Sequence, residues 1–241
     1  MSLTYPDNIN PAALSLLAEY LQTKGDHEKN NIVLELGCST GALGQHVLKI
    51  FPHPLIWIGI DMNEEALAIA NSRLTNTFQE DLDNIGVASL HSASPSANVV
   101  VMIDVLEHVC EPGRLLHTIS VAYPHASVVC VLPNIACYQT YERLSLHDFP
   151  YDKSGIFDAT HKTFYTAKSA LRLFQNEGYN STKGPIFLLD PPMKEIATTT
   201  AEFPFTFKSD RYSITLQTKE DLLSLSSYGF GYIFSPVVKM F

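Results

Sequence analysis

A chain of 241 residues, 46% hydrophobic and 17% charged, is long enough to bury one substantial core, and it carries a formal charge of −9. That charge, with 16 Lys and Arg scattered without a basic stripe, opposes the phosphate backbone of a nucleic-acid polymer. No apolar run reaches the roughly 18 residues of a spanning helix, no secretory leader is recognisable, and Cys38, Cys110, Cys130 and Cys137 have neither CxxC spacing nor disulfide-scaffold density, so a single cytoplasmic domain is expected.

In chain order, Pro11 to Leu21 reads as a helix with Pro in its first turn. Strands follow at Ile32 to Leu36, Ile56 to Asp61, Asn76 to Gln79, Val99 to Asp104 and Ser127 to Leu132. Helical patterns lie between them at Leu43 to Phe51, at Glu64 to Leu74 behind an Asn63 N-cap, and at Pro112 to Tyr123. Nearly all-apolar strands separated by helices predict a parallel sheet covered on both faces, a doubly wound Rossmann-like α/β fold of seven mostly parallel strands. After Pro133-Asn134 the texture changes, because 19 of the 24 Phe and Tyr residues fall in the remaining 107 positions. Helices are expected at Tyr138 to Leu146 and Thr166 to Glu177, and strands at Gly184 to Leu189 and Tyr228 to Met240; Pro191 to Ser227 follows neither period. The expected organisation is a helical cap over 1–30, a core over 31–190, and an insertion or lid with the final strand over 191–241.

The stretch VLELGCSTGALG (Val33 to Gly44) joins the first strand to its helix and holds Gly37, Gly41 and Gly44 within eight residues. A loop so bare lets a ligand approach the backbone at the carboxyl edge of the sheet. Asp61 closes the second strand 20 positions after Gly41, where a carboxylate accepts hydrogen bonds from ribose hydroxyls. The dinucleotide pattern GxGxxG would place its first glycine at Ser39, so an NAD-dependent oxidoreductase is a poorer fit. Asp81, just past the third strand, suits the exocyclic amino group of adenine, with Leu82 beside the ring. Glu35 is an acid pointing toward the pocket, and an acid there repels a pyrophosphate but favours a cation. The ligand implied is a nucleoside bearing positive charge, and S-adenosylmethionine fits.

VLELGCSTGALG, IGIDMNEEALAIA, QEDLDNI and IDVLEHVCEPGRLL resemble, in order and spacing, the successive motifs of class I S-adenosylmethionine-dependent methyltransferases over about Ile32 to Phe187. The resemblance implies that Glu35, Gly37, Cys38 and Gly41 meet the methionine part of the cofactor. It places Asp61 on the ribose, Met62 against the adenine, Asp81 and Leu82 on the adenine edge, and Asp104 near the methionine amino group. Ser39 stands where the family most often has glycine.

A second constellation, DVLEH, sets Asp104, Glu107 and His108 within five residues; on a helix they would share a face and converge as a hard-cation site or an acid/base cluster. IFDATHKTFYT adds Asp158 and His161 beside aromatics. Both stretches are similar to ubiquinone-biosynthesis O-methyltransferases and to small-RNA terminal 2′-O-methyltransferases, in which such residues can hold a divalent metal. The PN, GIFDATH and FYT features resemble a bacterial subgroup linked with glycan or small-molecule modification, in which no metal is assumed. The expectation is therefore an enzyme that methylates an oxygen of a small-molecule or sugar-like acceptor, with His108 and His161 as candidate proton acceptors and no resident metal. The other expectation for the same residues is a protein of this fold that binds the cofactor without turnover.

Overall fold

The computed structural model describes residues 9–23 and 31–237. His27, the remainder of the expected 1–30 cap, and the end of the strand expected to reach Met240 lie outside the described residues. In chain order the elements are α1 (Pro11–Thr23), β1 (Asn31–Leu36), α2 (Ala42–Ile50), β2 (Leu55–Asp61), α3 (Glu64–Ala70), β3 (Asn76–Gln79), α4 (Val87–Ala93), β4 (Val99–Ile103), α5 (Pro112–Ala122), β5 (Ser127–Pro133), α6 (Tyr138–Ser145) and α7 (Ala167–Asn176). They continue with β6 (Tyr179–Leu189), α8 (Lys194–Thr199), β7 (Phe205–Lys208), β8 (Ser213–Leu216), α9 (Lys219–Leu225) and β9 (Ser227–Pro236).

Seven strands form one sheet in the order β3-β2-β1-β4-β5-β9-β6. The first five are parallel, and β9 runs antiparallel between β5 and β6. The Rossmann-like fold expected from the strand-helix alternation is the one observed. Successive strand residues point to opposite faces, and both faces are covered. Leu34, Leu36, Val100 and Met102 enter one core with Leu90, Leu115, Ile119 and Phe174 from α4, α5 and α7. Val33, Trp57, Val99, Val101 and Val129 enter the other with Leu16, Leu17, Val47 and Leu67 from α1, α2 and α3.

The Asn63 cap acts where it was expected, and α7 gains a cap that was not foreseen. Asn63 caps α3, its side chain accepting from Ala66 N at 3.0 Å, and Thr166 forms a reciprocal capping box with Ser169 at the head of α7. Helix α3 stops at Ala70 rather than Leu74, and two further elements differ from the sequence reading. Helix α4 went unforeseen because only Leu90 and Ala93 of its seven residues are buried, so no apolar stripe announces it. Strand β6 begins at Tyr179 rather than Gly184, because as the sheet's edge it exposes Asn180, Lys183 and Gly184. The unassigned 191–227 stretch holds α8, the β7-β8 hairpin and α9. These gather a satellite core of Leu216, Leu222 and Leu225, against which Tyr138 of α6 packs. Lys219 ties it together by donating to the carbonyls of Ala197 and Thr200, at the end of α8, at 2.6 and 2.8 Å.

Candidate active site

The order of the sheet reverses between β1 and β4, and the carboxyl ends of β3, β2, β1 and β4 lie level in the register. Ligands in open α/β sheets bind in the crevice at that point. The loop from Gly37 to Gly41 rims it. Gly37 has φ +73°, and a Cβ there would stand 2.5 Å from Val105 Cγ2, so only glycine lets the loop close on the turn after β4. At Gly44 a Cβ would fall 2.4 Å from Leu74 Cδ2 and 2.5 Å from Trp57 Nε1. Its absence seats α2 on the indole.

That seating explains Glu35. Trp57 Nε1 donates to Glu35 Oε2 at 2.7 Å, and Glu35 is 5% exposed. Burial, opposed by the indole and reinforced by Asp61, pushes its carboxyl up to about 8. The expectation that this carboxylate points into the ligand pocket is corrected: it lies beneath the loop, inside the core. The Cys38 side chain is buried there too, against Gly59, so the loop offers backbone rather than a thiol. Gly41 N-caps α2 in the left-handed conformation, and no side chain caps that helix.

Asp61 remains at the crevice. Its two oxygens accept from Ser39 N at 2.8 Å and Asn63 N at 2.9 Å, which fixes the carboxylate and leaves it further acceptor capacity for hydroxyls. Ser39 itself sits at φ +47°, a region that favours glycine, and its Oγ is buried without a hydrogen-bond partner. Met62 is 69% exposed at the rim. Asp81 closes its own loop, accepting from Asp83 N at 2.9 Å and Asn84 Nδ2 at 2.7 Å, while Leu82 packs on the core. Asp104, at φ +53°, is exposed yet surrounded by protein. Loss of surrounding water raises its carboxyl to about 6, and a hydrogen bond from the Asn10 side chain partly offsets the rise. The Asn10 Oδ1 also caps α1 through Ala12 N and Ala13 N.

The second constellation departs from its expected form. After β4 the chain makes a single 3₁₀ turn, Leu106–His108, and not an α-helix. Glu107 therefore turns inward to 1% exposure while His108 faces the crevice side, and Asp104 does not join them on one helical face. His161 takes that place. The ligand atoms of Glu107, His108 and His161 lie within 4.8 Å of one another, and the two imidazoles meet edge to face. His161 Nδ1 donates to the Ile156 carbonyl at 3.1 Å, which leaves its Nε2 lone pair free for a proton or a cation. His108 Nδ1 lies 3.1 Å from Thr160 Oγ1, and Asp158 holds Thr160 by accepting from both its N and its Oγ1 at 2.7 Å. Both oxygens of Glu107 lack a hydrogen-bond partner, and burial together with nearby Asp104 raises its carboxyl well above the ordinary range.

Three residues here escaped the sequence reading. Asn10 had a signal, a capping residue before Pro11. Trp57 and Tyr228 had none, since their roles depend on strands distant in sequence. The Tyr228 hydroxyl, on a residue 38% exposed, is raised by partial burial and by the charges of Asp104 and Asp190.

A family model described as a methyltransferase domain matches residues 8–183. No curated protein matches the chain by sequence. Among solved structures it is similar to an S-adenosylmethionine-dependent methyltransferase from Anabaena variabilis (TM-score 0.60, 14% identity, 95% of this chain and 86% of that one). It is similar also to one from Archaeoglobus fulgidus (TM-score 0.56, 15% identity, 92% and 94%). A third likeness is to the small RNA methyltransferase HEN1 (TM-score 0.55, 15% identity, 98% of this chain and 27% of that one).

Proposed function

From the premise that this chain belongs to the methyltransferase family and takes its methyl group from S-adenosylmethionine, we propose that it methylates an oxygen of a small-molecule or sugar-like acceptor in the cytoplasm. The residues fit the donor. Asp61 supplies a fixed carboxylate for the ribose, Met62, Asp81 and Leu82 line the adenine side, and the backbone from Gly37 to Gly41 with the uncapped first turn of α2 faces the methionine part. Asp104 supplies negative charge for an ammonium group.

The cofactor brings a methyl group on a positive sulfur, whose transfer is an in-line displacement. The protein's part is alignment, worth roughly 7 kcal/mol or more at the limit of good orientation, and removal of the acceptor's proton. The observation that carries the oxygen assignment is the imidazole pair: His161 is held in one tautomer by Ile156, its basicity lowered by burial and by His108, with Nε2 unbonded. The aromatic second half of the chain would wall the acceptor side. The net charge of −9 favours a small acceptor over a polynucleotide. Cofactor labelled with ¹³C on the methyl group, incubated with fractionated small-molecule extracts, tests this directly. A product methyl carbon in the methoxy region supports the reading, and one in the N-, S- or C-methyl region overturns it.

One observation favours a second reading of the same cluster. A buried carboxylate with both oxygens unpartnered beside two imidazoles is the donor set of a divalent cation, which would activate the acceptor oxygen in place of a base. Calorimetric titration with Mg²⁺, Mn²⁺ and Zn²⁺, each against His161→Ala, decides it. Binding lost in the variant supports the cation.

A further inference from the structure

His161 and Lys162 are consecutive residues that face two different parts of the crevice. The imidazole of His161 joins Glu107 and His108. The ammonium of Lys162 reaches instead to the loop after β3, donating to Asp83 Oδ2 at 2.7 Å and lying 3.0 Å from Cys110 Sγ. Asp83 Oδ1 accepts from Cys110 N at 2.7 Å, so one carboxylate bridges the loop after β3, the turn after β4 and the histidine loop. The backbone completes the joint: Lys162 N and Thr163 N both donate to the Glu107 carbonyl, at 2.7 and 3.2 Å. On the other flank Arg114 holds the same β3 loop through the carbonyls of Leu82, Asp83 and Ile85.

We infer that Lys162 is a positioning residue that couples the cofactor side of the crevice to the acceptor side through Asp83. The inference rests on Asp81 and Leu82 as the adenine-side contacts. Asp83 N donates to Asp81 Oδ1, so the setting of Asp81 and Leu82 by the nucleoside bears directly on Asp83. Asp83 then draws on Lys162, and Lys162 carries His161 with it. The tie is short because the ammonium and the amide of the same residue are both engaged, one on each loop. An exposed ion pair contributes little to global stability, so its loss should alter communication more than folding. By linkage the coupling is reciprocal: ordering the histidine loop favours the nucleoside to the same extent.

Hydrogen-exchange mass spectrometry on the full chain, with and without S-adenosylhomocysteine, tests this without an acceptor. In the wild type the ligand should slow exchange both in 81–85 and in 156–163. In Lys162→Met, protection of 81–85 should persist while that of 156–163 falls at least threefold, with the melting temperature unchanged within about 2 °C. Asp83→Asn should do the same, and Lys162→Arg should restore it. Protection of 156–163 that persists in Lys162→Met, or wild-type protection confined to 81–85, overturns the coupling alone. Ligand that binds the wild type without protecting 81–85 overturns the adenine-side reading, and the inference with it.

Discussion

Asp61 ends one of the two strands that flank β1 and Glu107 follows the other, and their carboxylates live under opposite conditions. Asp61 is half-buried and accepts two backbone N–H groups, so its geometry is fixed before any ligand arrives. Glu107 is buried with neither oxygen satisfied, an arrangement that costs free energy until a proton, a cation or a donor reaches it. One wall of the crevice is finished by its own backbone. The other is finished only by what binds there. The contrast teaches which side should tolerate change in the acceptor: on the proposed reading the preset wall serves one cofactor, whereas an unsatisfied wall is shaped by its occupant.

The sharpest way to break this comparison is Asp61→Ala. It removes both the ribose acceptor and the tie to Ser39, and S-adenosylhomocysteine affinity should fall by about thirtyfold or more in calorimetry, because hydrogen bonds to a charged group are lost. Wild-type affinity in that variant would mean the finished wall is not the nucleoside wall. Next in size is His161→Ala, which should cut methyl transfer to the identified acceptor about a hundredfold while leaving the S-adenosylhomocysteine dissociation constant within about twofold. Equal losses in both would erase the division into walls.

A smaller effect sharpens the floor between the two. With its carboxyl at about 6, Asp104 loses its charge as pH falls through that value, so cofactor affinity should decline severalfold between pH 7.5 and about 5.5. Asp104→Asn should be weaker at pH 7.5 and flat across the range. The smallest effect concerns stability. Glu35 has a folded pKa raised from 4.5 to about 8, so its contribution is greatest below pH 4.5 and is lost as pH rises through the window up to 8. Glu35→Gln keeps an acceptor for the indole and cannot ionise. Its melting temperature should match the wild type near pH 5 and exceed it by a few degrees at pH 8.

What was legible in the sequence follows the range of the interactions involved. The five parallel strands, the Asn63 cap and the placing of Asp61, Asp81 and Asp104 at strand ends are written in local spacing, and each stands where spacing puts it. Side-chain direction is not local. Glu35 reads as a pocket acid until Gly44 is seen to admit Trp57 above it, a contact between residues 22 apart. Asp104, Glu107 and His108 read as a helical trio, but the turn tightens to 3₁₀ and His161 arrives from 53 positions after His108. The 191–227 segment was illegible for another reason: its hairpin buries one residue, Leu216, and leans for the rest on α6 and α9.

Trp57 is the chain's one tryptophan, and its indole N–H lies on the carboxyl beneath the glycine loop. Its emission, excited beyond the band of the eleven tyrosines, therefore reports from one place, beneath the glycine loop. A change of charge on Glu35 or a shift of the strand-to-helix turn must alter the field around that ring, so the unlabelled enzyme carries its own optical gauge of that turn.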